Sequence, residues 1–185
     1  MIDNTKNLLK FMLKNYFSDI SYAIDMTCGN GYDAKNILTM TNVEKLYAFD
    51  IQDQARKSTF KLLKNLDIDL NRFEFILDGH ENILDYIEEK IDLAVYNLGY
   101  LPRADHKITT QYKKVIKSFR GLLSLLSKGG VVFITFYPGH KEGLEESIEI
   151  PEFLKTLDQK EFTVLKFDFI NQKNTPPFCI MVQKK

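Results

Sequence analysis

The chain has 185 residues, 44% of them apolar and 12% aromatic, with 25 basic side chains against 25 acidic ones. That composition supports a packed core and excludes intrinsic disorder, while net neutrality excludes nucleic-acid binding through overall charge alone. Two cysteines without metal-ligand spacing, no apolar run near the roughly 18 residues of a membrane span and no secretory pattern leave a reduced, cytoplasmic protein with no metal and no membrane contact.

Leu8, Leu9, Met12, Leu13, Tyr16 and Phe17 fall at helical spacing, so residues 1–18 are read as an N-terminal helix packed on a single domain spanning 1–185. Residues 22–26 read as a short buried strand broken by Gly29-Asn30-Gly31, with a helix over 32–40. A strand over 46–50, a helix over 52–66 and a strand over 73–77 follow, the last ending at Asp78-Gly79-His80. A short helix through Ile83, Leu84 and Ile87 precedes a strand over 91–96. After a loop with Pro102, a long helix runs from about Thr109 to Leu126 and stops before Gly129-Gly130. A strand over 131–137, a helix over 144–157 and strands over 162–170 and 178–183 complete the chain. Strand and helix thus alternate before two adjacent strands. The expectation is a Rossmann-like α/β fold with a seven-stranded, mostly parallel sheet and a C-terminal antiparallel hairpin.

In such sheets ligands bind at the carboxyl ends of the strands. The first strand runs into Asp25-Met26-Thr27-Cys28-Gly29-Asn30-Gly31-Tyr32-Asp33, where two glycines allow a tight turn and a close ligand. Asp50 ends the second strand, placed to accept ribose hydroxyls, and Asp78 ends the third. Each acid alone serves equally as a helix cap. Their joint placement points to a nucleoside-containing cofactor. The third glycine of a dinucleotide turn is missing, and Asp25 and Asp33 would repel a pyrophosphate but suit a cation. S-adenosylmethionine, with its sulfonium and ammonium, meets that requirement better than a nicotinamide cofactor. After the fourth strand, Asn97-Leu98-Gly99-Tyr100-Leu101-Pro102 resembles the Asn/Asp-Pro-Pro-Tyr segment of amino-group methyltransferases, with Leu98-Gly99 replacing the two prolines. A turn with a buried aromatic explains it as well.

Taken together, Asp25-x-Thr27-x-Gly29-Asn30-Gly31-x-Asp33, Phe49-Asp50-Ile51-Gln52, Asn97 to Pro102 with Ile108-Thr109-Thr110, and Tyr137-Pro138-Gly139-His140 resemble the YtqB-type (MnmM-type) methyltransferases. These were labelled rRNA methylases and are associated with a tRNA activity. The resemblance spans about Asp25 to Pro177 and departs at Tyr32, where His is frequent, and at Arg103-Ala104. It implies S-adenosylmethionine-dependent methylation of the aminomethyl group on wobble 5-aminomethyl-2-thiouridine, with S-adenosylhomocysteine as the other product. The implied partner is a tRNA anticodon stem-loop, and a homodimer is allowed. Cofactor contacts are expected from Asp25, Thr27, Gly29, Asn30, Gly31, Asp33, Asp50, Ile51, Gln52, Asp78, Gly79, His80 and Asn97.

On the substrate side, Asn97 would orient the amine and Tyr100 border the thiouracil ring, with Asp105 and His140 as proton acceptors. Asp105 serves equally as a helix cap, His140 as a solvated loop residue and His80 as a helix start. Lys6, Lys10 and Lys14 form one basic stripe, and Lys113, Lys117 and Arg120 another; each would meet RNA phosphates or simply face solvent. The acidic run Glu142, Glu145, Glu146, Glu149 is placed away from RNA. Two other activities fit the sequence: methylation of rRNA or a small amine, and S-adenosylmethionine binding without turnover. The second would need neither the Asn97–Tyr100 segment nor His140.

Overall fold

The computed structural model describes residues 1–99 and 111–185; Tyr100, Asp105 and the expected helix start near Thr109 lie outside the described residues. Seven strands form one sheet: β1 (Tyr22–Asp25), β2 (Lys45–Phe49), β3 (Phe73–Ile76), β4 (Ile91–Asn97), β5 (Leu126–Phe136), β6 (Phe162–Phe167) and β7 (Phe178–Lys184). Their order is β3-β2-β1-β4-β5-β7-β6. The first five pair in parallel, and β7 runs antiparallel to both β5 and β6. This is the expected Rossmann-like sheet with its terminal hairpin. The chain lays β2 and β3 to one side of β1, then returns to place β4 on the other. That reversal opens a crevice at the carboxyl ends of β1 and β4.

Side chains of a strand alternate between faces, and the core divides accordingly. Ala23, Leu93, Val95 and Phe133 pack with Leu8 and Leu13 of α1 (Thr5–Tyr16), Ile37 of α2 (Tyr32–Met40) and Leu63 of α3 (Asp53–Lys64). On the opposite face Ile24, Ala94, Tyr96 and Ile134 pack with Phe119 and Leu122 of α4 (Tyr112–Leu125) and with Ile150 and Leu154 of α5 (Lys141–Lys155). Both faces are therefore covered, as parallel strands require. α1 starts where Asn4 caps it, its side chain accepting from the Asn7 N–H at 2.9 Å.

Three expectations are corrected. β5 begins at Leu126, five residues earlier than read, so Gly129-Gly130 lie inside the strand, where its pairing with β4 shifts register, and not before it. There Ser127 Oγ donates to Asp92 Oδ1 (2.6 Å), Gly129 takes φ +80°, and a Cβ on Gly130 would lie 2.8 Å from the Ile91 carbonyl. α5 begins at Lys141 because the His140 side chain caps it. The segment His80–Asp85 is a 3₁₀ turn and not an α-helix, with Asn82 departing from helical geometry.

Gly31 precedes α2 in the left-handed conformation, φ +77°, and a Cβ there would sit 2.7 Å from Thr59 Oγ1 of α3. Gly31→Ala should cost about 1–3 kcal/mol through backbone strain and the clash. In urea unfolding, adding Thr59→Ala should recover the steric part and leave the backbone part.

Candidate active site

Residues following β1, β2, β3, β4 and β5 line a cavity of about 950 Å³ at the carboxyl edge of the sheet. Its first wall is the turn after β1. Met26 N–H bonds the Val95 carbonyl (2.8 Å) and Cys28 N–H bonds the Phe49 carbonyl (2.9 Å), so the turn is clamped between neighbouring strands. Asp50 then reaches across from the end of β2. Its Oδ2 accepts from Gly29 N–H and its Oδ1 from Gln52 N–H, both at 2.9 Å. Thr59, which carries no motif signal, donates to the Gly29 carbonyl at 3.2 Å.

Asn97 closes the crevice from β4. Its backbone N–H donates to Thr27 Oγ1 (2.7 Å), and its side-chain Nδ2 donates to Asp33 Oδ2 (3.0 Å). In this pair the amide nitrogen of Asn97 is the end that faces Asp33. Asn97 Oδ1 and Asp25 Oδ2 are buried without a hydrogen-bond partner among the described residues. Asp25 is 1% exposed and lies beneath the floor, outside the lining set; Gly31 is also outside it. Burial, then the neighbouring Asp33, raises Asp25 well above the usual carboxylate range. Burial also raises Asp33, opposed by the Asn97 hydrogen bond and by Lys6, Lys10 and Lys35. Asp50 is raised by burial too. Three carboxylates at one floor, each reluctant to ionise, make a place that favours a cation.

The far end is built by the turn after β3. Asp78 lines the cavity, but its oxygens accept from Gly79 N–H (2.7 Å), Asn82 Nδ2 (3.1 Å) and Tyr86 hydroxyl (2.9 Å), which hold the turn. These bonds, Asn82's foremost, lower its pKa. His80 packs edge-on against Tyr96 at 5.8 Å, and its Nδ1 makes no hydrogen bond among the described residues. Burial lowers its pKa to about 4, so the ring is neutral near pH 7. Glu81 and Lys114, paired at 2.6 Å, also line this end and were not foreseen. Ile51, Gln52, Gly79, Asn30, Gly29 and Thr27 line the cavity as expected residues.

His140 lines the cavity, but its Nδ1 accepts from Gly143 N–H at 3.0 Å. That bond commits Nδ1 to capping the start of α5. In the acidic run, Glu142 lies 3.5 Å from His140 Nδ1, and Glu146 is buried. Lys6 and Lys10 line the cavity mouth with Lys35, whereas Lys14, Lys113, Lys117 and Arg120 do not. Tyr32, Tyr137, Thr175 and Pro177 complete the lip.

Residues 46–183 match the family model described as "Putative rRNA methylase". A structure described as a putative rRNA-methylase from Clostridium thermocellum is 36% identical over the full length of both chains, with a TM-score of 0.93. A putative methyltransferase from Streptococcus mutans, solved in complex with SAH, is 37% identical over both full lengths, with a TM-score of 0.89. The Arabidopsis thaliana chloroplastic tRNA (mnm(5)s(2)U34)-methyltransferase is 27% identical over 172 residues, and the match covers 88% of this chain but 63% of that protein. The residues present fit a sulfonium cofactor: Asp25 and Asn97 leave buried acceptors unmatched above which a cationic ligand compensates. Among the described residues no group of three or more His, Cys, Asp or Glu is placed to hold a metal ion, and no helix is long and apolar enough to cross a membrane.

Asp25→Asn should raise the Tm of the cofactor-free protein at pH 7 by about 2–4 °C, on the order of 1 kcal/mol at this size, by removing a buried carboxyl whose ionisation burial opposes. A carboxylate whose folded pKa is raised stabilises the fold as pH falls through that pKa, so the advantage of Asn over Asp should shrink on acidification. The same change should weaken calorimetric binding of S-adenosylmethionine about tenfold, since the cation loses a countercharge. By sequence model, full-length similarity and sheet topology, the chain belongs to the Putative rRNA methylase family and is an S-adenosylmethionine-dependent methyltransferase.

Proposed function

We propose that the chain methylates the 5-aminomethyl group of wobble 5-aminomethyl-2-thiouridine in tRNA, giving 5-methylaminomethyl-2-thiouridine and S-adenosylhomocysteine. The observation that carries this reading is Asn97, a polar side chain lining the cavity at the end of β4 and tied to both the first turn and Asp33. The name of the plant relative supports the same substrate. S-adenosylmethionine, when bound, supplies an electrophilic methyl group on a sulfonium.

The chain's own residues must hold the amine and remove its proton. An aliphatic amine has a pKa on the order of 10 and is mostly protonated near pH 7. The acidic floor attracts the ammonium, and burial in the cavity then favours its neutral form. Asn97 orients the amine, and Tyr100, three residues later, borders the base. With His140 Nδ1 committed to the α5 cap, the proton-acceptor role is assigned to carboxylates. Asp105 is one candidate. Asp33 is the other, because it lines the cavity and burial raises its affinity for a proton. Asp50 sits where ribose hydroxyls are bound in this sheet architecture.

The family description favours a second substrate, rRNA. Methyl transfer from labelled S-adenosylmethionine to tRNA lacking the terminal methyl, read by nucleoside mass spectrometry, separates the two. One added methyl on 5-aminomethyl-2-thiouridine is expected. Asp50→Ala should raise the cofactor KM about tenfold or more, and Asn97→Ala should lower kcat about 100-fold, the usual scale for a group that prepares the nucleophile. Transfer to rRNA and none to this tRNA would select the second substrate.

A further inference from the structure

The sign of the charge reverses between the floor and the lip of the cavity. Asp25, Asp33 and Asp50 gather below, while Lys6 and Lys10, one turn apart on α1, meet Lys35 of α2 at the mouth. None of these three lysines forms an ion pair among the described residues. The cations of α4 are engaged differently: Lys114 pairs with Glu81 at 2.6 Å, Lys117 reaches Asn82 Oδ1 at 3.5 Å, and Arg120 lies over the Phe153 ring at 5.5 Å. Beside the unpaired lysines stands Tyr32, the first residue of α2, which lines the cavity while 62% exposed. A ligand complementary to this arrangement carries a cation at one point and anions a few ångströms outward. A nucleotide with an aminomethyl group on its base and phosphates on either side has that pattern. Exposed aromatics interleaved with cations are also how single-stranded RNA is gripped, by stacking and by phosphate contact.

We propose that Lys6, Lys10, Lys35 and Tyr32 form the entry surface for the single-stranded RNA around the target nucleotide. The lysines take its flanking phosphates, and Tyr32 stacks on a neighbouring base. This assigns binding to the α1–α2 lip and not to either helical stripe as a whole, since Lys14 stands off the mouth and the α4 cations have partners. It rests on the reading of the substrate as RNA.

The test is fluorescence anisotropy of an unmodified anticodon stem-loop RNA over a salt series, with S-adenosylmethionine affinity measured by calorimetry on the same proteins. Lys6→Gln/Lys10→Gln/Lys35→Gln should weaken RNA binding more than tenfold at low salt. It should also flatten the log–log salt slope by about 2, the sum for three single-strand phosphates. Tyr32→Ala should weaken binding about tenfold with the slope unchanged, and Tyr32→Phe should restore it. Lys113→Gln/Lys117→Gln/Arg120→Gln should bind as the wild type does. Loss of RNA binding in the α4 variant with none in the α1–α2 variants would overturn the assignment. So would lysine variants that lose cofactor affinity alone, which would make the lip a carboxylate site for the cofactor. Wild-type protein that binds no RNA would sink the RNA reading itself, an outcome distinct from RNA binding that the lip variants leave untouched.

Discussion

The site depends on one tie across the switch point of the sheet. Asn97 donates through its backbone to Thr27 and through its side chain to Asp33, so the end of β4 and the turn after β1 are held as one unit. Without that tie the two strands would still pair through the sheet, but the crevice between their ends would have no fixed width. The turn is braced from its other side by Asp50, whose two oxygens take one N–H from the turn and one from the start of the next helix. Each group that a ligand would meet is therefore positioned by another strand end, and few depend on their own loop alone.

The same economy creates the electrostatic character of the floor. Three carboxylates are gathered where burial opposes their ionisation, offset in part by backbone N–H groups at Asp25 and Asp50 and by Asn97 and the rim lysines at Asp33. Such an arrangement is costly to the empty protein and favourable to a cation-bearing one. The fold thus spends stability at the place where a positively charged ligand returns it, in keeping with strain concentrating at functional sites.

Much of the architecture was legible because it rests on periodicity and on glycine. The buried strands read as short apolar runs, and the turn after β1 read as two glycines between strand and helix. The misreadings have physical causes. Gly129-Gly130 looked like a break before β5 but lies inside that strand with Gly130 packed against the Ile91 carbonyl, a close approach set by a neighbouring strand and invisible locally. His140 looked like a free imidazole, yet its spacing to Gly143 makes it a cap. Thr59 and the Glu81–Lys114 pair gave no motif because their partners lie far off in sequence. Asp50 needed no structure to be noticed, since its place at a strand end is itself the signal.

β7 follows β6 in the sequence but inserts between β5 and β6 in the sheet. The strand that fills this gap must therefore be present before β6 can join the sheet at all, because β6 pairs with β7 and with no other strand. The segment joining the two carries Thr175 and Pro177 to the lip of the cavity. Assembly of that wall is thus tied to the β5–β7 pairing, a non-local contact whose loop entropy must be met before it forms. Until it closes, the edge of β5 offers unpaired backbone to any extended segment nearby, so the step that completes the lip also removes a template for misassociation.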